Sequence, residues 1–235
     1  MADSALLKKR DAWWTVLIVD RVAIPIARRL RDVRWITPNR VSVTGLIMGI
    51  ASGALFIAGD LLWGGILFEL RFLLDCIDGK LARMRNAGTP LGAFIDLAGD
   101  KAIIAWNFGA LSWHLQSQQI LGAHWPILLV GSYLLRSWLV LYRIRVNDGD
   151  PEEWEMRFGL KQDGLVGAYR RWMARYRLVG RPNSIDVENV TCFLLPVVAG
   201  PVVTAAGIVV ATVYYALVVL LYWSRISVFL ASSDD

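Results

Sequence analysis

The sequence predicts an all-α integral membrane protein: a bundle of six transmembrane helices preceded by an N-terminal amphipathic interfacial helix. Three observations support this prediction. Of the 235 residues, 56% are hydrophobic, 11 are tryptophan, and long apolar runs recur along the chain. A helix needs about 20 apolar residues to cross the hydrocarbon core. This composition excludes an ordinary soluble domain. The net charge of +5 suits a protein that faces anionic lipid, so we expect membrane lipid and no nucleic acid as its partner.

Six apolar segments are long enough to be spans, and they lie at about 38–58, 61–83, 92–115, 123–145, 186–206 and 208–230. Very short connections, such as residues 59–60 and a break near Gly207, predict antiparallel neighbours. We therefore divide the chain into an interfacial segment and a transmembrane domain with a basic cytoplasmic segment, which are residues 1–36, 37–235 and about 147–185.

The basic residues concentrate on one predicted side of the membrane. Nine lie in residues 1–40, three in 80–91 and nine in 143–185, whereas the turn at 116–123 has none. Loops rich in Lys and Arg stay in the cytoplasm. We therefore expect a protein of the bacterial cytoplasmic membrane, with both termini on the cytoplasmic side.

Residues 7–31 combine tryptophans and aliphatic residues with several charges. The uninterrupted apolar run, residues 12–19, is too short to cross a bilayer. We predict an amphipathic helix that lies in the interface and is kinked near Pro25. The alternative is a seventh span containing an Asp20–Arg21 pair, which the cost of charge inside a membrane disfavours.

Four aspartates occur where the second and third predicted spans approach each other. The first helix has a face with spacing i, i+3, i+4, i+7, formed by Asp75, Asp78, Gly79 and Ala82. The second has a face with spacing i, i+4, i+8, formed by Gly92, Asp96 and Asp100. The link MRNAGTP between them predicts a turn, which makes the two helices antiparallel neighbours. The four carboxylates therefore converge at the cytoplasmic end of the bundle.

Converging carboxylates repel one another unless protons, basic side chains or cations neutralise them. Oxygen ligands without Cys or His favour hard cations such as Mg²⁺, Mn²⁺ or Ca²⁺. Four aspartates on two helices suit a two-metal site of the kind that supports phosphoryl transfer. The alternative is structural: the aspartates cap helices and pair with Lys80, Arg83 and Lys101.

The motif resembles the signature of the CDP-alcohol phosphatidyltransferase family at every fixed position and both gap lengths. The matching residues are Asp75, Asp78, Gly79, Ala82, Arg83, Gly92, Asp96 and Asp100. Its second half is most similar to phosphatidylglycerophosphate-synthase-like members. The resemblance also includes the surface helix before the first span, the residues Thr37-Pro38-Asn39 that open it, and the six-span layout.

This resemblance implies that an alcohol attacks the β-phosphorus of a CDP-linked donor, most simply CDP-diacylglycerol, and releases CMP. It implies two divalent cations, Mg²⁺ or Mn²⁺, on Asp75, Asp78, Asp96 and Asp100, with Asp100 also the general base. The implied CDP-binding residues are Asp75, Gly79, Ala82, Arg83 and Gly92. The family resemblance further implies a homodimer.

The acceptor alcohol is less constrained by the sequence. Four arginines are candidate acceptor-binding residues: Arg71, Arg136, Arg143 and Arg225. Arg71 either pairs with the carboxylates or holds an acceptor phosphate, and Arg143 either binds the acceptor or extends to the interface. We expect a phosphorylated polyol such as glycerol phosphate or inositol phosphate. Serine, phosphatidylglycerol and a CDP-aminoalcohol donor stay open, and a divalent-cation transporter is the alternative from another class.

Overall fold

The computed structural model describes residues 7–8, 10–87, 90–146 and 164–231. The regular elements in these ranges are helices, and residues Asp11 and Leu178 form one isolated β-bridge. Three helices of the described residues are long and apolar enough to cross a membrane, and they are Pro38–Ala58, Trp125–Tyr142 and Gly200–Val228. The predicted all-α class is confirmed for the part of the chain that the structure describes.

The first half of the chain forms a π-helical segment, Thr15–Val19, followed by α1 (Asp20–Leu30), α2 (Pro38–Ala58), α3 (Leu61–Arg85) and α4 (Pro90–Ser117). The second half forms α5 (Trp125–Val146), α6 (Gly164–Arg175), α7 (Ser184–Asn189), a second π-helical segment (Val190–Leu194), α8 (Leu195–Val198) and α9 (Gly200–Ala231).

Local residues define the hairpin of α2 and α3. The Thr37 side chain accepts a hydrogen bond from the Arg40 amide, and Pro38 occupies the first turn of α2. Gly59 ends α2 in the left-handed region, with φ of 89°. The next residue, Asp60, caps α3 by accepting from the Trp63 amide at 3.0 Å. The two-residue connection forces the helices to pack antiparallel, as the sequence predicts.

Three glycines let α2 approach its neighbours closely. Gly45, Gly49 and Gly53 recur every four residues and are buried on one face of α2. A Cβ at Gly49 would lie 2.4 Å from Ile103 Cγ2, and one at Gly53 would lie 2.0 Å from Trp106 Nε1. The absence of side chains at these positions therefore brings α4 against α2.

An aromatic cluster holds the centre of the bundle. The rings of Phe108 on α4, Tyr133 on α5 and Tyr215 on α9 are fully buried. They meet edge to face, with ring centroids 5.4 to 6.0 Å apart. This packing fixes α4 relative to the last helix of the chain.

The predicted break between the last two spans is wrong. It lies at Gly200, which has φ of 74° and opens α9, and not near Gly207. Gly207 lies inside α9, where a Cβ would be 2.1 Å from Leu195 Cδ1. Gly207 therefore serves close helix packing, while Gly200 serves the turn, because only a residue without a Cβ adopts the left-handed region at little cost.

The N-terminal segment is helical from Trp13 to Leu30, and its geometry departs from α-helix at the π-helical residues 15–19. Pro25 lies within α1, so the local irregularity comes before the predicted position. One face of α1 buries Ala23 and Ala27 against Phe72 and Ile77 of α3. Residues on the opposite face, such as Val22 and Pro25, are exposed, and the interfacial position of this helix stays a prediction.

A buried ion cluster joins three distant parts of the chain. Asp20 of α1 pairs with Lys80 of α3 at 2.7 Å and with Arg177 at 3.2 Å. Asp20 thus has long-range partners in place of Arg21, the partner that the disfavoured seventh-span alternative contains. Backbone hydrogen bonds between Asp11 and residues 177 and 179 reinforce the same connection.

Arg85 fastens the connection between α1 and α2. Its guanidinium, at the end of α3, donates to the carbonyl oxygens of Leu30, Arg31, Val33 and Ile36 at 2.6 to 3.0 Å. These carbonyls include groups at the C-terminus of α1 that lack helical partners. Arg85 thereby links the end of α3 to the start of α2.

The glycine face of α2 yields a stability prediction. We expect Gly53→Ala to lower the thermal unfolding temperature of the detergent-solubilised protein, because overpacking costs about 1–3 kcal/mol. The added methyl group would also force the Trp106 indole away from its hydrogen bond to the Ile50 carbonyl. Gly131→Ala is the matched control, since a Cβ there meets no atom within 4 Å. Equal unfolding temperatures for the two variants would contradict the packing role of Gly53.

Candidate active site

A cavity of about 200 Å³ opens between α2, α3 and α4. Its lining comprises ten residues: Asn39, Ser42, Val43, Gly45, Leu46, Arg71, Asp75, Asp78, Asp96 and Asp100. All four aspartates of the motif thus reach the same small space. The antiparallel arrangement of α3 and α4 brings the two sequence-distant pairs together.

Three of the four carboxylates form a compact group. Asp75, Asp78 and Asp96 each offer an oxygen within 4.8 Å of the others. Asp78 is buried and also accepts a hydrogen bond from Ser42 Oγ at 2.6 Å, whereas Asp96 is exposed. Oxygen donors at this separation suit a hard divalent cation, which would also remove their mutual repulsion. The donor set therefore fits the predicted kind of metal.

The fourth carboxylate has a different environment. Asp100 lines the same cavity, but its Oδ1 accepts a hydrogen bond from Arg71 Nη2 in an ion pair. The Arg71 side chain is almost fully buried, and that of Asp100 is about one quarter exposed. Asp100 thus lies apart from the three-carboxylate group, and its role as a metal ligand stays a prediction.

Two of the three cations in the structural alternative have other partners. Lys80 pairs with Asp20 and donates to the Cys76 carbonyl, so it does not neutralise the cavity as that alternative expects. Lys101 Nζ lies 5.7 Å from the centroid of the Tyr133 ring. Among the described residues, Arg71 contacts Asp100, and the sequence offers this pairing as only one of two possibilities.

Comparison with known proteins decides the family. The model of the CDP-alcohol phosphatidyltransferase family matches residues 35–231, which include the cavity and all four aspartates. The chain belongs to the CDP-alcohol phosphatidyltransferase family. The match covers the hairpin of α2 and α3 as well as α9, so the family assignment applies to most of the fold.

Curated relatives in the family resemble shorter stretches. A phosphatidylinositol phosphate synthase of Corynebacterium glutamicum is 36% identical over 93 residues, or 39% of this chain and 42% of that protein. A bifunctional IPC transferase and DIPP synthase of Thermococcus kodakarensis is 38% identical over 71 residues, or 30% of this chain and 16% of that protein. The matched stretch therefore spans less than half the length of these relatives.

A solved structure supports the fold. The crystal structure of Mycobacterium tuberculosis phosphatidylinositol phosphate synthase with CDP-DAG bound superposes with a TM-score of 0.50 at 21% identity, covering 85% of this chain and 94% of the other. At this identity the likeness concerns the arrangement of helices. It agrees with an α-helical bundle of the phosphatidyltransferase family.

The positions that the family resemblance predicts to bind the nucleotide lie along α3 and at the start of α4. Gly79 is one turn beyond Asp75, and a Cβ there would meet the Arg83 guanidinium at 3.6 Å. Ala82, with its small side chain, follows on the same face of α3. Gly92 lies in the first turns of α4, and its surroundings fall outside the described residues. The helical spacing of these positions agrees with the sequence prediction.

The four candidate acceptor arginines do not share one location. Arg71 lines the cavity, whereas Arg136 and Arg225 are absent from its lining. Arg136 lies with its guanidinium carbon 6.0 Å from the Tyr215 ring centroid, and its buried Nε has no hydrogen-bond partner among the described residues. Arg143 lies in α5, and its side chain falls outside the described residues.

Two polar cavity residues were missed as site residues. Asn39 and Ser42 come from the first turns of α2, and Ser42 contacts Asp78 directly. A pattern was available in the sequence: Asn39, Ser42, Val43 and Leu46 follow i, i+3, i+4, i+7 and therefore share one face. The sequence does not say that this face meets the aspartates, because that depends on how α2 packs.

The three-carboxylate group predicts the effect of neutral substitutions on metal binding. We expect Asp75→Asn, Asp78→Asn and Asp96→Asn each to weaken Mn²⁺ binding at least about tenfold, because an amide replaces an anionic ligand. The affinity is measured by titrating the purified protein with Mn²⁺ and following the electron paramagnetic resonance signal of the free ion. Asp60→Asn is the control, since Asp60 caps the N-terminus of α3 about 22 Å along the helix from Asp75. Unchanged Mn²⁺ affinity in the three variants would contradict the assignment.

Proposed function

We propose that this protein transfers a phosphatidyl group from CDP-diacylglycerol to a phosphorylated polyol and releases CMP. The observation that carries the proposal is the group formed by Asp75, Asp78 and Asp96, whose oxygens lie within 4.8 Å of one another at the wall of a cavity. Family membership supports it, because the matched region contains the whole motif.

The reaction joins the acceptor oxygen to the β-phosphorus of the donor and breaks the bond between that phosphorus and the CMP oxygen. In the proposal Asp100 accepts the hydroxyl proton, since it lines the cavity beside the three-carboxylate group. One or two divalent cations, Mg²⁺ or Mn²⁺, held by Asp75, Asp78 and Asp96 would neutralise diphosphate charge. The family resemblance also implies Asp100 as a fourth ligand, although it lies outside the three-carboxylate group.

The cytidine diphosphate would lie along α3. Gly79 and Ala82 leave space next to the helix, and Gly92 would do the same on α4. The Arg83 guanidinium lies near Gly79, where it could donate paired hydrogen bonds to phosphate oxygens. These roles come from the family motif and are supported by the shared helix face.

For the acceptor we favour inositol phosphate over glycerol phosphate. Two curated relatives that match over 93 and 94 residues are phosphatidylinositol phosphate synthases, although the second half of the motif resembles phosphatidylglycerophosphate synthases. A phosphorylated acceptor needs a basic partner. Because Arg71 is paired with Asp100, the proposed sources are the other three candidates, Arg136, Arg143 and Arg225. The acceptors serine and phosphatidylglycerol, and a CDP-aminoalcohol donor, are less consistent with these relatives.

We further propose a topology of six spans: α2, α3, α4, α5, the segment 184–198 and α9. Segment 184–198 is about 22 Å long, shorter than a hydrocarbon core of roughly 30 Å, so neighbouring helices would shield its ends. Residues 1–36 would form the interfacial segment and 37–235 the transmembrane domain. The concentration of basic residues supports a cytoplasmic site and cytoplasmic termini in a bacterial membrane, and the family resemblance supports a homodimer.

The alternative of a divalent-cation transporter is disfavoured by the packing beyond the cavity. A permeation path needs polar groups through the bundle. Beyond Asn107, α4 buries Phe108, Leu111 and Leu115 completely in the apolar core. An enzyme site that opens at one end of the bundle is consistent with this arrangement.

The proposal predicts the activity of the purified protein. With CDP-diacylglycerol and Mg²⁺ or Mn²⁺ in mixed micelles, we expect CMP release that depends on the acceptor and is fastest with inositol phosphate. A chromatographic assay of CMP across inositol phosphate, glycerol phosphate, serine and phosphatidylglycerol measures this dependence. The control omits the cation. Absence of CMP release with every acceptor would refute the proposed function.

The role of Asp100 predicts a separation between binding and turnover. We expect Asp100→Asn to reduce the rate of CMP release by at least about 100-fold, because a general base is lost. The same variant should bind Mn²⁺ and a CDP-linked donor better than Asp75→Asn does. Equilibrium binding of a radiolabelled donor to both variants tests this, and an equal loss of binding would contradict the assignment.

A further inference from the structure

We infer that Arg71 is a positioning residue that holds the Asp100 carboxylate and competes with a metal cation for it. Arg71 thereby separates the four aspartates into a three-carboxylate cation site and a reserved proton acceptor. The inference deepens the proposed function, on which it rests for the role of Asp100.

The first observation is that the Arg71 side chain is buried and held in place by packing against α2. Arg71 is 3% exposed. Its chain runs beside the glycine face of α2, where a Cβ at Gly49 would lie 3.4 Å from Arg71 Cγ and one at Gly45 would lie 3.6 Å from the Arg71 carbonyl oxygen. Larger residues at these positions would crowd the arginine. The packing therefore directs the guanidinium toward the cavity.

The second observation is the ion pair itself. Arg71 Nη2 donates to Asp100 Oδ1, and the guanidinium charge also attracts Asp75. A guanidinium keeps its proton under all ordinary conditions. Separating a buried arginine from its carboxylate leaves a charge without a partner, which is strongly unfavourable. A cation that took Asp100 as a ligand would have to displace Arg71 and bear that cost.

The third observation is the division of the carboxylates. Asp75, Asp78 and Asp96 have oxygens within 4.8 Å of one another, and Asp100 lies outside this group although it lines the same cavity. One fixed positive charge already balances one of the four negative charges. Because Arg71 contacts Oδ1, the inference assigns the acceptor proton to Oδ2 of Asp100.

This role differs from binding the acceptor phosphate. If Arg71 held that phosphate, its replacement would raise the KM for the acceptor and leave the metal site almost unchanged. If Arg71 positions Asp100, its replacement frees a fourth carboxylate for the metal while the rate falls. The two roles therefore predict opposite patterns of binding and turnover.

The experiment measures Mn²⁺ binding without substrate, by electron paramagnetic resonance, for the purified wild type and three variants: Arg71→Gln, Asp100→Asn and Arg71→Gln/Asp100→Asn. We expect Arg71→Gln to bind Mn²⁺ about tenfold more tightly, because a positive charge is lost and Asp100 becomes available. In the Asp100→Asn background the same substitution should change the Mn²⁺ affinity by less than about twofold.

Turnover gives a second readout that a purely structural role would not produce. We expect Arg71→Gln to lower kcat for CMP release by about 100-fold with little change in the acceptor KM, and Arg71→Lys to restore part of kcat because it keeps the charge. Wild-type CMP release tests the proposed function separately, while Mn²⁺ binding tests the inference even if that activity is absent.

Three results would overturn the inference. Unchanged or weaker Mn²⁺ binding by folded Arg71→Gln would show that Arg71 does not compete with the metal. An equal increase in Mn²⁺ affinity in the Asp100→Asn background would show that the Arg71 charge repels the cation directly and does not act by holding Asp100. A loss confined to the acceptor KM would assign Arg71 to the substrate. If Arg71→Gln is not monodisperse by size-exclusion chromatography, Arg71→Lys replaces it. We then expect a smaller increase in Mn²⁺ affinity, which must also disappear in the Asp100→Asn background.

Discussion

Four carboxylates share one small cavity, and the rest of the site depends on how their charge is balanced. In a medium of low dielectric such a group is strongly unfavourable without positive partners. The structure supplies one of these from within, as the Arg71–Asp100 ion pair. The other three aspartates offer oxygens close enough to share one cation. The ion pair and the three-carboxylate group therefore occupy separate places in the same cavity.

The packing of α2 makes this arrangement possible. Gly45 and Gly49 leave the space along which Arg71 extends, and Ser42 on the same helix donates to Asp78. α2 thus contributes to the site although it carries no residue of the aspartate motif. α2, which is long and apolar enough to cross a membrane, therefore also packs against α3 and α4, the two helices that carry the aspartates.

The half of α3 that carries Asp75 and Asp78 is also the half to which the N-terminal region is attached. Lys80 pairs with Asp20, and Asp20 pairs with Arg177. One turn further, Arg85 holds the carbonyls of the α1–α2 connection. These contacts place the motif helix, α1 and the residues before α7 in one connected unit.

The sequence by itself determined the helical class, the hairpin of α2 and α3, the glycine face of α2 and the convergence of the four aspartates. Each depends on local spacing, capping or composition, which a linear pattern contains. It did not determine which glycine separates the last two helices, because this depends on the backbone conformation of Gly200 and on the packing of Leu195 against Gly207. Nor did it give Arg71 its partner Asp100 or Lys80 its partner Asp20. Only the tertiary structure decided these points, because the pairing of buried charges depends on which helices pack together.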